Sequence, residues 1–469
     1  MTITHLPADA LSNAGNNRLW IKHPLACWTG NNQDASNGLV IEGNTIVELV
    51  AAGCEPTHDY QHTFDASAHV LLPGLINCHH HFYQTLTRAL PSALNRELFP
   101  WLQALYPVWA NLNDNAIYAS TQLALSELLL SGCTTAADHH YVFSSIMPHA
   151  IDAQVAAAKT IGNRVTLTRG SMSLGHSAGG LPPDSVVETD ARILEESARL
   201  IRAYHNPAED SFCQIALAPC SPFSVTPDLM RETARLAQEH QVLLHTHLGE
   251  TEDENAFCLQ KFNQRPVDYL EDVGWLNDRV WLAHGIHFND DEIKRLGHAC
   301  TGICHCPSSN MLLASGSCRT LDLKRAGARV GLGVDGSASN DGSNIIQEVR
   351  QAMLLQKLQY GAASFSHIDA LTMATTGSAS LLHRAELGEL APGKQADVAL
   401  FSLDEPRFSG YGDALAALIL CGAHKADHVM VGGDWKVKSG ELVYADITEI
   451  MAKHRVAADR LLGDFQNSI

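Results

Sequence analysis

Leu71-Leu72-Pro73-Gly74-Leu75-Ile76-Asn77-Cys78-His79-His80-His81 decides how this 469-residue chain folds. The apolar run from Val70 to Ile76 has the β-branched, leucine-rich character of a buried strand, and it breaks off into polar residues at Asn77. Three histidines therefore fall at a strand end. Side chains alternate along a strand, so His79 and His81 point one way and His80 the other. Two neutral imidazoles at that spacing can share one divalent ion, zinc foremost. The plainer alternative is a surface histidine cluster, and the rest of the chain has to decide.

On either side of this stretch the texture differs. Before it come short β signals: Arg18 to Lys22, Gly38 to Glu42 and Thr45 to Val50, the last two joined by Gly43-Asn44 as in a hairpin. These suggest a small antiparallel sheet. A similar texture returns in Asp397 to Phe401 and His428 to Val437, so both chain ends are expected to complete one β-sandwich domain. Between them, apolar strands alternate with amphipathic helical stretches. The strands are Val70 to Ile76, Thr134 to Asp138, Val165 to Arg169, Gln214 to Ala218, Val242 to His247, Val280 to His284, Gly302 to Cys306 and Val330 to Val334. Eight such units imply an α/β fold, a (β/α)8 TIM-like barrel. No glycine-rich dinucleotide fingerprint supports the alternative of an open doubly wound sheet. The expected division is 1–67 and 393–469 for the sandwich, the latter with a terminal helix over Ile447 to Leu462, and 68–392 for the barrel.

Composition narrows the function. With 51 acidic against 32 basic residues the formal charge is −19, which disfavours nucleic acid and other polyanions and suits a small neutral substrate. No apolar run is long enough to span a membrane, and Met1 to Asn17 lacks the pattern of a secretory leader. The 12 cysteines are scattered, as reduced thiols of a cytoplasmic protein would be. Cys304 and Cys306 around His305, with Cys300 nearby, read as thiols about a buried strand rather than a second zinc site.

Barrel enzymes carry their chemistry at the carboxyl ends of the strands. There the fifth strand ends His245-Thr246-His247-Leu248-Gly249-Glu250, the sixth Ala283-His284-Gly285 and the eighth Gly333-Val334-Asp335-Gly336. With these motifs, with Cys306-Pro307-Ser308-Ser309-Asn310 and with Leu387 to Asp397, the chain resembles the amidohydrolase superfamily over nearly its whole length. The likeness is to the mononuclear deaminase branch, which includes guanine, cytosine and adenosine-type deaminases and triazine hydrolases. That resemblance implies that His79, His81, His247 and Asp335 hold one divalent metal, zinc or iron, which lowers the pKa of a water toward roughly 7. It also implies that Glu250 shuttles a proton to a substrate ring nitrogen, that His284 steadies the attacking hydroxide, and that Asp335 accepts its proton. The fourth strand ends Leu217-Ala218-Pro219-Cys220-Ser221-Pro222-Phe223 without the lysine that bridges two metals in dinuclear relatives.

Within the branch, His79-His80-His81 with Gln84, Asp138-His139-His140-Tyr141 and Cys220-Ser221-Pro222-Phe223 resemble the bacterial 8-oxoguanine deaminases. This implies hydrolysis of an oxidised purine base to urate and ammonia, with guanine or isocytosine as weaker substrates. Gln84, Tyr141, Cys220 and Arg169 are the candidate substrate contacts. Pro100, in Leu98-Phe99-Pro100-Trp101-Leu102, stands where nucleoside deaminases carry a ribose-binding Glu, which argues against a nucleoside. A hydroxytriazine ethylaminohydrolase and a non-catalytic binding barrel stay open as alternatives. Family members are commonly homo-oligomers, so one is expected here.

Overall fold

The computed structural model describes residues 18–468; the leader reading of Met1 to Asn17 lies outside them. Eight parallel strands follow one another around a barrel: β1 (Leu75–Asn77), β2 (Cys133–His140), β3 (Arg164–Ser171), β4 (Cys213–Pro219), β5 (Leu244–Leu248), β6 (Val280–His284), β7 (Gly302–His305) and β8 (Arg329–Leu332). Each pairs with its sequence neighbour. The ring is drawn shut between β8 and β1, where Cys78 N–H donates to Leu332 O at 3.0 Å and Asp335 N–H to His79 O at 3.0 Å. Helices and side chains cover both faces, so β2 and β3 are buried at every position, including their Thr, Asp, His and Arg residues.

The decisive stretch holds one surprise. Val70 to Ile76 is not a single strand: His69–Pro73 pairs antiparallel with Val398–Ser402, while Leu75–Asn77 pairs parallel with β2. The chain passes from one sheet to the other at Gly74. A Cβ there would lie 2.2 Å from Thr134 Oγ1, so only glycine permits the crossing. Gly74 N–H donates to Asp397 O at 2.8 Å, tying the switch to the returning chain end.

Both chain ends do meet in the β region. One sheet of six strands runs Glu441–Leu442, Asp434–Lys438, His428–Val431, Val398–Ser402, His69–Pro73 and Ala26–Cys27; the other, of four, runs Thr45–Leu49, Gly38–Glu42, Arg18–Lys22 and His62–Asp65. Ile21, Leu39 and Ile46 of the second pack on Leu71, Leu400 and Met430 of the first. The N-terminal sheet is mixed rather than wholly antiparallel, because Arg18–Lys22 runs parallel to His62–Asp65. The stretch from His428 to Val437 is two strands, turned at Gly432 and Gly433, whose φ values are 57° and 80°.

Three helices bear on the site. Helix α1 (Leu98–Trp109) lies over the barrel mouth, α2 (Asp114–Leu130) precedes β2, and α3 (Ile447–Ser468), longer than its apolar spacing suggested, packs on both. No helix among the described residues is long and apolar enough to cross a membrane.

Candidate metal centre and active site

The strand ends bring His79, His81, His247, His284 and Asp335 together at the barrel mouth, all buried. His284 and Asp335 hold left-handed backbone, with φ of 72° and 64°. Residues with a Cβ seldom adopt it, and such strain concentrates at functional sites. Asp138 holds the turn after His81, accepting from Phe82 N–H at 2.6 Å. His80 points away, as alternation requires, with Nε2 2.9 Å from Ser343 Oγ.

Hydrogen bonds fix the tautomers of the three inner imidazoles. His81 Nδ1 lies 2.6 Å from His139 O and His247 Nδ1 lies 2.7 Å from Cys220 O. A carbonyl only accepts, so each Nδ1 carries the proton and each Nε2 is a bare lone pair. His245 Nδ1 likewise donates to Trp281 O at 2.7 Å, which leaves its Nε2 to accept from His79 Nδ1 at 2.8 Å. His79 Nε2 is therefore bare too, and it has no hydrogen-bond partner. The lone pairs of His81 Nε2 and His247 Nε2 face each other at 3.2 Å, an arrangement that repels unless a cation lies between them. Asp335 Oδ1 stands 3.3 Å from His79 Nε2 and 3.4 Å from His81 Nε2. With metal–ligand bonds of about 2.0–2.1 Å, tetrahedral ligand atoms are about 3.3–3.4 Å apart, so these residues fit a divalent metal.

The electrostatics agree with that geometry. Burial pushes His81 down to about 3 and holds His79 and His247 below the ordinary histidine value, leaving neutral ligands. Burial alone would raise Asp335, but His79, His284 and His81 outweigh it and hold the carboxyl well below the usual range. Glu250 lies beside them. Burial lifts its carboxyl to about 7, with His284 pulling down and Asp335 pushing up. Burial pushes His284 down, yet Glu250 and Asp335 outweigh it and hold that imidazole above its ordinary value. His284 Nε2 stands 3.6 Å from Glu250 Oε2 and 3.9 Å from Asp335 Oδ2, and its Nδ1 donates to Asn310 Oδ1 at 2.9 Å.

Gln84, Tyr141 and Cys220 line the same cavity as Glu250 and Asp335. Gln84 Oε1 accepts from Ala338 N–H at 3.3 Å, and its fit depends on Gly336, where a Cβ would lie 1.9 Å from that oxygen. Tyr141 sets its ring edge on His81 at 5.0 Å, and burial pushes the Cys220 thiol up to about 12, so it stays neutral. Arg169 is not among them, which corrects the expectation for that residue. It pairs with Glu188 at 2.8 Å, lies over the Phe143 ring at 3.8 Å and faces a separate cavity of ≈ 390 Å³. The sequence reading missed Trp101, Leu102 and Tyr106 of α1, which close the mouth, and Leu313 and Ser339 beside them. The cavity is ≈ 30 Å³, room for a water or two, so a base must displace these side chains to enter. No lysine lines it, and no cysteine joins a metal-like cluster among the described residues.

The pattern of the Amidohydrolase family matches residues 70–436. The chain belongs to that family. It is 59% identical to the 8-oxoguanine deaminase of Pseudomonas aeruginosa over 445 residues, 95% of this chain and 99% of that one. It is 38% identical to the hydroxydechloroatrazine ethylaminohydrolase of a Pseudomonas species, over 72% of this chain and 71% of that one. The atrazine chlorohydrolase of Arthrobacter aurescens, solved in complex with zinc, superposes with a TM-score of 0.88 at 31% identity, covering 94% of this chain and all of that one. As an amidohydrolase, the chain has its divalent-metal cluster at the mouth of a barrel shared with a zinc-holding relative.

Proposed function

We propose that this amidohydrolase deaminates 8-oxoguanine, taking the base and water to urate and ammonia. The 59% identity to the Pseudomonas aeruginosa 8-oxoguanine deaminase, extending across almost both chains, carries this conclusion. His79, His81, His247 and Asp335 hold the metal, zinc in preference to iron, and the domains divide near residues 67 and 392. When bound, the divalent ion supplies Lewis acidity and brings the pKa of a water toward about 7. Asp335 accepts the proton that this water gives up, and His284, held by Asn310, steadies the attacking oxygen. Glu250 is poised near neutrality and delivers a proton to the ring nitrogen, making the amine-bearing carbon electrophilic. A carbon–oxygen bond forms, the tetrahedral centre collapses, and the carbon–nitrogen bond breaks with the amine protonated to ammonia. Gln84, Tyr141 and Cys220 orient the base. The net charge of −19 suits a small neutral substrate and disfavours nucleic acid or an anionic membrane; the enzyme works in the cytoplasm as a homo-oligomer.

The test is ammonia release from 8-oxoguanine, guanine, isocytosine, cytosine, adenine and ammeline, with ethylamine release from hydroxyatrazine measured beside it. The expected result is a lead for 8-oxoguanine of about tenfold, roughly 1.4 kcal/mol of transition-state preference. The 38% identity to a hydroxydechloroatrazine ethylaminohydrolase favours the second reading, and a lead for hydroxyatrazine would establish it.

A further inference from the structure

Tyr106 sits on α1 at 1% exposure, and its hydroxyl has no hydrogen-bond partner. Its helix neighbours differ: Trp101 Nε1 donates to Ala338 O at 3.0 Å and Trp109 Nε1 to Thr87 Oγ1 at 3.2 Å. A buried phenol left alone is costly and rare, unless the group that completes it is a ligand or water. Tyr106 lines the same cavity as Glu250 and Cys220, and its ring is fixed edge-on to Trp109 at 6.0 Å. Its hydroxyl is therefore an unpaired donor at the mouth that a base must open to enter.

Two polar groups of this cavity come from different parts of the barrel: Gln84 is anchored by Ala338, just past Asp335 and β8, whereas Cys220 follows β4, four strands away around the ring. With the amine-bearing carbon held against Asp335 and Glu250, the far end of a bicyclic purine is its imidazole ring, which bears the C8 oxygen. We infer that Tyr106 is a specificity-determining residue whose O–H donates to that C8 oxygen, the atom that separates an oxidised purine from guanine. The inference rests on the proposed deaminase function.

The experiment compares Tyr106→Phe with the parent enzyme on 8-oxoguanine and on guanine, after metal content and melting temperature are matched. The expected result is a fall of about tenfold or more in kcat/KM for 8-oxoguanine, with guanine changed by less than about threefold, because only the former leaves a polar atom unpaired. Equal losses on both bases would mark a packing role and overturn the inference, as would no loss on either. Should the phenylalanine variant fail to fold, Tyr106→Met is held to the same pair of ratios. Inactivity of the parent enzyme on 8-oxoguanine would overturn the proposed function and this inference with it; a parent active on both bases, with an indifferent variant, would overturn only the role of Tyr106.

Discussion

Two clusters of histidine and carboxylate in this chain share a composition and differ in what their nitrogens do. At the barrel mouth, backbone carbonyls and His245 take the Nδ1 protons, so His79, His81 and His247 turn bare Nε2 atoms toward one point. In the six-stranded sheet, His69 Nε2 lies 2.8 Å and His428 Nε2 3.2 Å from the same oxygen of Asp427. A carboxylate only accepts, so there each Nε2 carries a proton, and both Nδ1 atoms lack partners. The first cluster needs a cation to relieve its lone pairs. The second turns its Nε2 protons onto a carboxylate and works as a clip, joining residues 358 apart in the chain. What the other ring nitrogen touches, rather than the residue type, separates a metal site from a hydrogen-bonded tie.

Substitutions at the two clusters should therefore part company. The largest effect belongs to Glu250→Ala, expected to lower turnover by about 10²–10⁴-fold while the metal stays bound. Metal analysis beside steady-state kinetics checks it, and full turnover would remove Glu250 from the proton path. Next comes His245→Phe, which takes away the acceptor that orients His79. Metal affinity should fall about 10–100-fold in a chelator competition, with activity recovering in excess metal; unchanged affinity would show that the tautomer relay is idle.

A smaller effect concerns pH. Burial lifts Glu254 to about 8, although its Oε1 accepts Gly249 N–H at 2.6 Å. The folded chain thus keeps this proton up to about pH 8, while the unfolded chain releases it near the ordinary carboxyl value of about 4.3. Between those limits the folded state binds more protons, so this group's contribution to stability declines as pH rises. Glu254→Gln should flatten the slope in urea unfolding between about pH 5 and about pH 8, and an unaltered slope would assign it to another group. The smallest effect is His69→Gln in the clip, with a stability loss of about 1 kcal/mol and unchanged metal content and turnover.

Two local rules, that strands alternate faces and that barrel chemistry gathers where apolar runs end, marked His79, His81, His247 and Asp335 as strand-end candidates, and the family resemblance joined them into one expected ligand set. Neither rule needs to know what packs on what. Gly74 escaped notice because Val70 to Ile76 is apolar throughout, and passing from one sheet to another changes partners without changing composition. Arg169 misled for the converse reason. The sequence reading ends the third strand at Arg169, but β3 runs on to Ser171, and the Arg169 guanidinium reaches Glu188 instead of the cavity. Tyr106 was missed because it arrives on a helix laid over the mouth, and its only mark is a hydroxyl without a partner.

The contrast between the clusters is most directly tested by anomalous diffraction from zinc-loaded crystals. One peak is expected per chain, about 2.0–2.2 Å from His79 Nε2, His81 Nε2, His247 Nε2 and an Asp335 oxygen, with none between His69 and His428. A peak in the six-stranded sheet, or none at the barrel mouth, would contradict the account.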